Sequence, residues 1–312
     1  MLWPRDSIGL VRRNRALDVG ITDLQLKRAV RSGELTMVDR GRYAITTSLP
    51  AVDVLGSERR DTEVHRLRCL AAALDDNCRL ALSHESAATV LGLATLLPDR
   101  DVVHFGTAQS SGGRRLRTRH VHTALPSDST MTIDGIEVTT PARTAVDIAA
   151  TRGFVAGLAV CDSALRLGVT ADQLFVEFGK RRIRGAADVR AAIRYADGRS
   201  ANPYESWGRA LMIQSGFPLP DLQTHFVLPD GSHAYADYSW RGKLVAEYDG
   251  RRKYWRDLRP GDDPGDVVYR EKQREDGLRA LKLGVCRWVT KDLYSKAMIT
   301  RVREALLDEG LL

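Results

Sequence analysis

The chain has 312 residues, 43% of them hydrophobic and 28% charged, with no internal repeat or low-complexity tract. This composition is ordinary for a soluble globular protein, and the length suits two or three domains with separate cores. No apolar run approaches the roughly 20 residues that span a membrane, and the first residues lack the apolar core of a secretory signal. The sequence therefore predicts a cytoplasmic protein with no membrane partner.

The formal net charge is +7, which favours nucleic acid as a partner because basic proteins release counterions when they bind it. Any single basic cluster is also consistent with a solvated surface. The four cysteines show no C-x-x-C spacing, so we expect reduced thiols rather than disulfides or structural zinc. Three groups of basic residues stand out: Arg12, Arg13 and Arg15; Arg114, Arg115, Arg117 and Arg119; Lys180, Arg181, Arg182 and Arg184.

The first 50 residues read as helix, turn, helix and a short hairpin. Thr22 and Gln25 have the spacing of a capping box, which marks the start of the second helix, and Ser32-Gly33 marks its end. Two short strands, 35–38 and 42–46, follow. This order is typical of a winged helix-turn-helix. The residues predicted to contact DNA are Lys27, Arg28 and Arg31 on the second helix and Arg40 and Arg42 on the wing.

The middle and last segments alternate helices with short strands. The middle segment has predicted helices at 61–75, 84–92, 141–151, 154–167 and 170–180 and strands at 101–106, 116–121 and 132–138. The last has predicted helices at 203–215, 266–283 and 291–309 and strands at 222–228, 233–240, 243–249 and 285–289. We predict three domains: a winged helix-turn-helix over 1–56, an α+β domain over 57–197, and an α/β domain with a mixed central sheet over 198–312.

Carboxylates gather near the predicted hairpin of the last segment. Glu247 and Asp249 alternate along one strand and therefore share a face, about 7 Å apart along the backbone. Asp237, on the preceding strand, joins that face if the turn has three residues, 241–243. A two-residue turn would put Asp237 on the opposite face.

Three carboxylates on one face need a neutralising cation, and hard oxygen ligands suit Mg²⁺ or Mn²⁺. Such an ion polarises a phosphodiester and activates the attacking water. The alternative is a structural role, in which these carboxylates pair with Arg251, Arg252 and Lys253 at the strand end.

Asp237, followed by Glu247-Tyr248-Asp249-Gly250, resembles the acidic motif of the PD-(D/E)xK nuclease superfamily, in the branch related to very-short-patch repair endonucleases. Residues 200–312 carry the resemblance, which implies a restriction-endonuclease-like fold, a metal site of Asp237, Glu247 and Asp249, and a catalytic contribution from Glu205. The flanking features that match are Glu205, Arg274, Asp276, Leu278 and the strand Leu283-Gly284-Val285-Cys286-Arg287-Trp288.

This sequence departs from the superfamily at one position, because Asp249 stands where the usual lysine falls. Lys243 and Lys253 are candidates to take over the lysine's role, and Lys272 and Arg274 are candidates to contact a scissile phosphate. Glu205 also has a structural interpretation, at the N3 capping position of its helix with Arg209 as its i+4 partner.

Three motifs in the first half of the chain resemble AbiEi-type antitoxins of type IV toxin–antitoxin systems, over about residues 5–170. The resemblance implies a winged helix that binds the operon's promoter and a second domain that opposes a toxin. The motifs are Gly41-Arg42-Tyr43-Ala44-Ile45, Leu82-Ser83-His84-Glu85-Ser86-Ala87-Ala88 with Leu91-Gly92-Leu93, and Thr139-Thr140-Pro141-Ala142-Arg143-Thr144-Ala145-Val146-Asp147.

Ser83-His84-Glu85-Ser86 does not indicate a serine hydrolase, because adjacent helical residues do not face each other. Ser83 is instead expected to cap the helix that follows. The main hypothesis for function is a DNA-binding protein with a metal-dependent endonuclease domain. The alternatives are a non-enzymatic, antitoxin-like repressor whose nuclease fold is a scaffold, and a module that binds a toxin protein or a phage component.

Overall fold

The computed structural model describes residues 2–52, 57–76, 80–250, 273–274 and 276–312. The chain forms two compact units: the first comprises Met1–Leu93 and Leu97–Asp147, and the second comprises Ala94–Leu96 and Ile148–Leu312. The mixed α/β class is confirmed. The division between these units lies at Asp147, and the three domains expected over 1–56, 57–197 and 198–312 stay a prediction.

The first unit begins with a three-stranded sheet of order β1-β3-β2 and two helices. Its elements are β1 (Val11–Arg12), α1 (Arg13–Asp18), α2 (Asp23–Arg31), β2 (Leu35–Asp39), β3 (Arg42–Ile45), a 3₁₀ turn (Thr46–Ser48) and α3 (Glu58–Asp75). The capping box of Thr22 and Gln25 is present, with Gln25 N 3.3 Å from Thr22 Oγ1 and Thr22 N 2.7 Å from Gln25 Oε1. Strand β1 was not predicted from the sequence.

Helix α3 explains why the first 50 residues are not a separate unit. Leu67 and Ala71 on α3 pack with Leu10, Val38 and Ala44 in one buried cluster. Other residues of the same helix pack against the second sheet of the unit in a cluster with Phe105 and Val138. The helix therefore has apolar contacts with both sheets, and the core runs through the boundary predicted near residue 56.

The second sheet of the first unit has six strands in the order β6-β7-β5-β4-β9-β8. Two of its pairings, β5 with β7 and β4 with β9, are parallel. The predicted strand at 132–138 is two strands joined at Asp134-Gly135, where both residues have a positive φ. The elements are β4 (Ala81–Leu82), α4 (His84–Leu91), β5 (Val103–Gly106), β6 (Arg114–Arg115), β7 (Arg119–His122), β8 (Thr130–Ile133) and β9 (Ile136–Thr139).

Helix α5 (Pro141–Arg166) is interrupted at Gly153, whose φ of 79° and ψ of −176° are not helical. This interruption lies between the helices predicted at 141–151 and 154–167. By length and apolar composition α5 is a candidate membrane span, which the sequence analysis did not anticipate, but 72% of its apolar window is buried within the protein. Such burial is typical of a core helix.

The second unit contains a four-stranded mixed sheet of order β10-β11-β12-β13, antiparallel except for β12 with β13. Helix α7 was not predicted, and the predicted closing helix is two helices that meet at Lys296, where φ is 60°. The elements after α5 are α6 (Ala171–Gly179), α7 (Ala186–Tyr195), α8 (Pro203–Gln214), β10 (Asp221–Val227), β11 (His233–Trp240), β12 (Leu244–Tyr248), β13 (Gly284–Trp288), α9 (Thr290–Ser295) and α10 (Ala297–Asp308).

A buried ion pair connects α5 to α8 inside the second unit. Arg209 Nη2 lies 2.6 and 2.8 Å from the two carboxylate oxygens of Asp162, and Ser206 Oγ donates to Asp162 at 2.6 Å. The sequence predicted Glu205 as the partner of Arg209. In the structure Arg209 pairs with Asp162 instead. Because this network crosses residue 197, the segment after it shares a unit with the helices before it.

Candidate functional site

The turn between β11 and β12 has three residues, 241–243, as the shared carboxylate face requires. The register pairs Tyr238 with Ala246 and Trp240 with Leu244, which places Asp237 opposite Glu247. The turn closes with a hydrogen bond of 3.0 Å from Lys243 N to Trp240 O. The predicted odd-length turn is confirmed, and both carboxylates lie on one face of the sheet.

Glu247 is buried, with 3% of its surface exposed, and two arginines neutralise it. Arg274 donates from Nη1 and Nη2 to the two carboxylate oxygens, each at 2.6 Å. Arg287 Nη2 lies 3.0 Å from Glu247 Oε2. If Glu247 has a structural role, the sequence predicted that it pairs with residues 251–253, which lie outside the described residues. Among the described residues, Glu247 pairs with Arg274 and Arg287.

Asp237 and Glu205 approach each other at the end of the sheet. Asp237 Oδ2 accepts the Tyr248 backbone N–H at 2.9 Å, and Gln223 Nε2 lies 3.4 Å from Asp237 Oδ1 and 3.4 Å from Glu205 Oε2. Glu205 Oε2 also accepts the backbone N–H of Ala201 at 2.8 Å. Asn202 is the N-cap of α8 and accepts the backbone N–H of Glu205 at 3.1 Å, so Glu205 lies at the predicted N3 position. The Glu205 side chain also accepts from Asn202 Nδ2 at 2.6 Å.

The remaining predicted site residues are dispersed or undescribed. Lys243 lies in the exposed turn, and its Nζ is 3.4 Å from Glu309 O. In sequence Lys243 is four residues before Glu247. That is about 13 Å along an extended strand, and the catalytic role expected of Lys243 stays a prediction. Asp249 follows β12, and its backbone N–H donates to Trp288 O at 2.8 Å. Lys253 and Lys272 lie outside the described residues.

Among the described residues, one group of three His, Cys, Asp or Glu side chains brings its ligand atoms within 4.8 Å of one another, and it consists of histidines. The predicted set of Asp237, Glu247 and Asp249 is not such a group in this arrangement. Arg274 and Arg287 supply positive charge next to Glu247 in this arrangement.

Helix α2 presents an exposed basic face. Leu26 and Ala29 are buried in the core of the three-stranded sheet, whereas Lys27, Arg28 and Arg31 are exposed. The amphipathic spacing of the helix therefore directs three cations to solvent. Their arrangement suits contacts with phosphates or base edges.

The two predicted wing residues differ in their surroundings. Arg40 is exposed, between Asp39 and Gly41 in the turn after β2. Arg42 is instead paired with Asp39, at 2.9 Å, and with Asp75. Arg42 thus makes its ion pairs inside the first unit, and its contact with DNA stays a prediction. Arg274 is likewise bound to Glu247.

A cluster of four histidines was not predicted from the sequence. The cluster consists of His84, His104, His120 and His122, whose rings contact one another. The shortest distance between ring centroids is 3.7 Å, between His84 and His122. Burial lowers the pKa of His104 to about 4 and that of His122 to about 2, and it also lowers the pKa of His120. The signal in the sequence was the alternation of His120 and His122 on a short strand, which places both on one face.

Ser83 and His84 contact each other, although adjacent helical residues were expected to face apart. Ser83 Oγ lies 3.1 Å from His84 Nδ1. Ser83 is extended, at the N-cap position of α4, and His84 has a φ of 48°, so the helical spacing rule does not apply to them. Ser83 makes no side-chain cap hydrogen bond.

Residues of the Thr139–Asp147 motif are buried and bonded to one another. Arg143 Nε donates to Asp147 Oδ2 at 3.0 Å, one helical turn away, and Arg143 is fully buried. Thr139 Oγ1 and Thr144 Oγ1 are 2.7 Å apart. These side chains fix the start of α5, so the motif has a structural role.

One family model matches the middle of the chain. Residues 80–195 match the family model of the AbiEi antitoxin C-terminal domain. This confirms the predicted AbiEi-type resemblance for that region, while the nuclease resemblance of residues 200–312 stays a prediction.

Two relatives from Mycobacterium tuberculosis, the uncharacterized proteins MT2308 (strain CDC 1551 / Oshkosh) and Rv2248 (strain ATCC 25618 / H37Rv), are each 33% identical over 120 residues. The match covers 38% of this chain and 44% of each relative, so it spans less than half of their length. A crystal structure of the RV2827C protein from the same species aligns with a TM-score of 0.34 and 16% identity, over 64% of this chain and 74% of that chain.

Proposed function

We propose that this protein is a cytoplasmic, antitoxin-like DNA-binding regulator and that its last α/β segment is a non-catalytic scaffold. The observation that carries the proposal is the match of residues 80–195 to the AbiEi antitoxin C-terminal domain. The exposed basic face of α2 supports DNA binding, and the ion pairs of Glu247 support the scaffold role of the last segment.

DNA binding is assigned to the first 50 residues, acting as a winged helix-turn-helix. The order of two helices and a β-hairpin supports this assignment. Lys27, Arg28 and Arg31 on α2 are the proposed contacts to the major groove and its phosphates, with Arg40 at the hairpin turn. The core of α2 and the sheet holds these cations on one rigid element.

The scaffold role of the last segment is supported by the contacts of Glu247. A carboxylate that binds Mg²⁺ must offer an oxygen lone pair to the ion, whereas Arg274 and Arg287 bond both oxygens of Glu247. Removing those arginines would leave a buried charge uncompensated, so the ion pairs are part of the folded structure.

A cognate toxin is the proposed protein partner, by analogy with the antitoxin family whose model the chain matches over 80–195. The regulator would then bind its own upstream DNA through the first unit. Co-purification of the full chain with the product of an adjacent gene tests this part of the proposal, and absence of any complex at micromolar concentrations counts against it.

The second candidate is a metal-dependent endonuclease with a restriction-endonuclease-like, PD-(D/E)xK fold. It is favoured by one specific observation, the three-residue turn that aligns Asp237 with Glu247 on one face. In this function Asp237, Glu247 and Asp249 would bind Mg²⁺ or Mn²⁺, and Glu205 would lie at the edge of the site. Arg274 would have to leave Glu247 for a divalent ion to bind there.

One experiment separates the two functions. Full-length protein is incubated with supercoiled plasmid and with Mg²⁺ or Mn²⁺, beside Asp237→Asn and Glu247→Ala variants, and binding is measured on the same DNA. If the proposed function is right, wild type and each variant that folds will bind the plasmid DNA, and none of them will cleave it. Metal-dependent nicking by wild type that is lost in Asp237→Asn would establish the nuclease instead.

A further inference from the structure

We propose that His84, His104 and His122 form a binding site for a divalent transition-metal ion, with Zn²⁺ the first choice. The three side chains bring one ligand atom each within 4.8 Å of one another. Four of the chain's seven histidines, these three and His120, meet in this one place. The cluster belongs to the first unit and is separate from the carboxylate face around Asp237.

The fold converges the three residues from three elements. His104 lies on β5 and His122 at the end of β7, and these strands pair in parallel, with Gly106 opposite His122. His84 begins α4, directly after β4, which pairs with β5. Histidines separated by up to 38 residues in sequence therefore share one sheet edge and one helix start.

The key distance is between two ring nitrogens. His104 Nδ1 and His122 Nε2 are 3.0 Å apart. Two nitrogens on one tetrahedral zinc, each bound at about 2.0–2.1 Å, are separated by about 3.3 Å. Those two atoms thus need to move by only a few tenths of an ångström to share an ion.

The surroundings of the cluster resemble the outer partners of a metal site. Glu85 Oε2 lies 3.7 Å from His104 Nε2, the ring atom opposite the proposed ligand, and Glu85 is buried. Ser83 Oγ lies 3.1 Å from Nδ1 of His84. The Ser83 hydroxyl is within hydrogen-bond distance of this ring nitrogen, and a carboxylate near the second nitrogen of a metal-binding histidine is a common outer partner.

One feature indicates backbone strain at the cluster, and a second shows which movement ion binding would require. His84 has a φ of 48°, in the left-handed region that non-glycine residues rarely adopt. His84 and His122 stack with their centroids 3.7 Å apart. Because an imidazole lone pair lies in the ring plane, the stacked rings must tilt when they share an ion.

The donor set decides which ions fit. Three imidazole nitrogens suit Zn²⁺, Co²⁺, Ni²⁺ and Cu²⁺, whereas Mg²⁺ and Ca²⁺ prefer oxygen ligands. Three protein ligands leave the fourth tetrahedral position for water. The ion would connect the start of α4 to β5 and β7.

The experiment uses metal-free, full-length protein titrated with ZnCl₂ by calorimetry and with CoCl₂ by visible absorption. His225 and His233 form an exposed pair with nitrogens 2.7 Å apart, which offers a competing surface site. All measurements are therefore made in a His225→Asn/His233→Asn background. That background is expected to bind one equivalent of Zn²⁺, and adding His122→Asn is expected to weaken binding by about tenfold or more.

X-ray absorption at the zinc edge gives a second test that leaves the cluster intact. The Zn²⁺-loaded background protein should show three imidazole ligands. Because this test needs no change to the cluster, it does not depend on whether the His122→Asn variant folds. Absence of Zn²⁺ binding by the background protein would overturn the proposal. So would an unchanged affinity in folded His104→Asn and His122→Asn variants, or a spectrum with fewer than three imidazoles.

Discussion

Arg274 donates two parallel hydrogen bonds of 2.6 Å to the carboxylate of Glu247, on the sheet face where the sequence predicted a metal ion. Arg287 adds a third contact to the same carboxylate at 3.0 Å. The positive charge that a buried Glu247 requires is thus supplied by the chain itself. This relationship supports the structural role that we propose for Glu247.

Substituting Arg274 by Gln is expected to lower the free energy of unfolding by on the order of 2 kcal/mol. A broken buried pair costs roughly 3–5 kcal/mol, and the loss here is smaller because Arg287 remains. Urea denaturation measures it. The matched control is Arg301→Gln, which removes a half-exposed pair with Asp292 and should cost less than about 1 kcal/mol. Equal losses in the two variants would mean that Glu247 does not depend on Arg274.

Substituting Asp162 by Asn should destabilise the second unit as a whole. Arg209 is 6% exposed and would keep its charge without the carboxylate that neutralises it, at a cost of roughly 3–5 kcal/mol. Differential scanning calorimetry and circular dichroism measure the loss, with exposed Asp308→Asn as the control. If the helices before residue 197 keep their unfolding temperature while the sheet after it melts early, the two parts do not fold together.

The pH dependence of stability has a contribution from His65 on α3, which is 1% exposed. Burial lowers its pKa to about 4 in the folded state, so the unfolded chain binds the proton first as the pH falls. Stability is therefore complete above the ordinary histidine pKa and is lost as the pH drops toward 4. Between pH 7 and pH 5 the loss from this residue is about 2 kcal/mol.

The comparison for His65 is the His65→Gln variant across the same pH range. Its unfolding free energy should decline less steeply than that of wild type between pH 7 and pH 5, because the titrating group is gone. Other buried histidines contribute equally to both proteins and cancel in the difference. Parallel curves for the two proteins would show that His65 titrates normally in the folded state.

The turn that aligns Asp237 with Glu247 is tested by Gly242→Ala. Gly242 has a φ of 63° and open space around its Cβ position, so the substitution adds only backbone strain, of about 1–2 kcal/mol. Gly179, the last residue of α6, also has open space but no positive φ, and Gly179→Ala should be neutral or slightly stabilising. If Gly242→Ala and Gly179→Ala have the same denaturant midpoint, the turn at Gly242 is not strained by a side chain.

Local patterns were sufficient to predict the elements whose signals lie within a few residues. The capping box of Thr22 and Gln25 and the interruption near Gly153 follow from backbone chemistry at those positions. The sequence left the turn before Leu244 open between two and three residues, and the register of β11 with β12 decides for three. Strand β1 and helix α7 were missed because β1 has only two residues and α7 begins without a side-chain cap.

The partners of individual side chains could not be predicted, because they depend on which elements meet in three dimensions. Arg209 bonds Asp162, 47 residues away, and not its helical neighbour Glu205. Arg42 and Arg274 were predicted to contact DNA, yet each pairs with acids of the chain itself. The histidine cluster was missed for the same reason, since three separate elements contribute to it.

The central claim is that the basic face of α2 binds DNA. The most direct measurement is fluorescence anisotropy with a duplex from upstream of the protein's own gene, over a series of salt concentrations. The test variant is Lys27→Gln/Arg28→Gln/Arg31→Gln. The control, with the same charge loss on exposed residues of the second unit, is Arg190→Gln/Arg194→Gln/Lys291→Gln.

The α2 variant is expected to lose affinity for the duplex at least tenfold. The slope of its logarithmic binding constant against logarithmic salt concentration should become shallower, by about 0.9 per lost phosphate contact. The control should bind like wild type. Equal affinity and equal salt dependence for wild type and the α2 variant would show that the basic face of α2 does not bind the DNA.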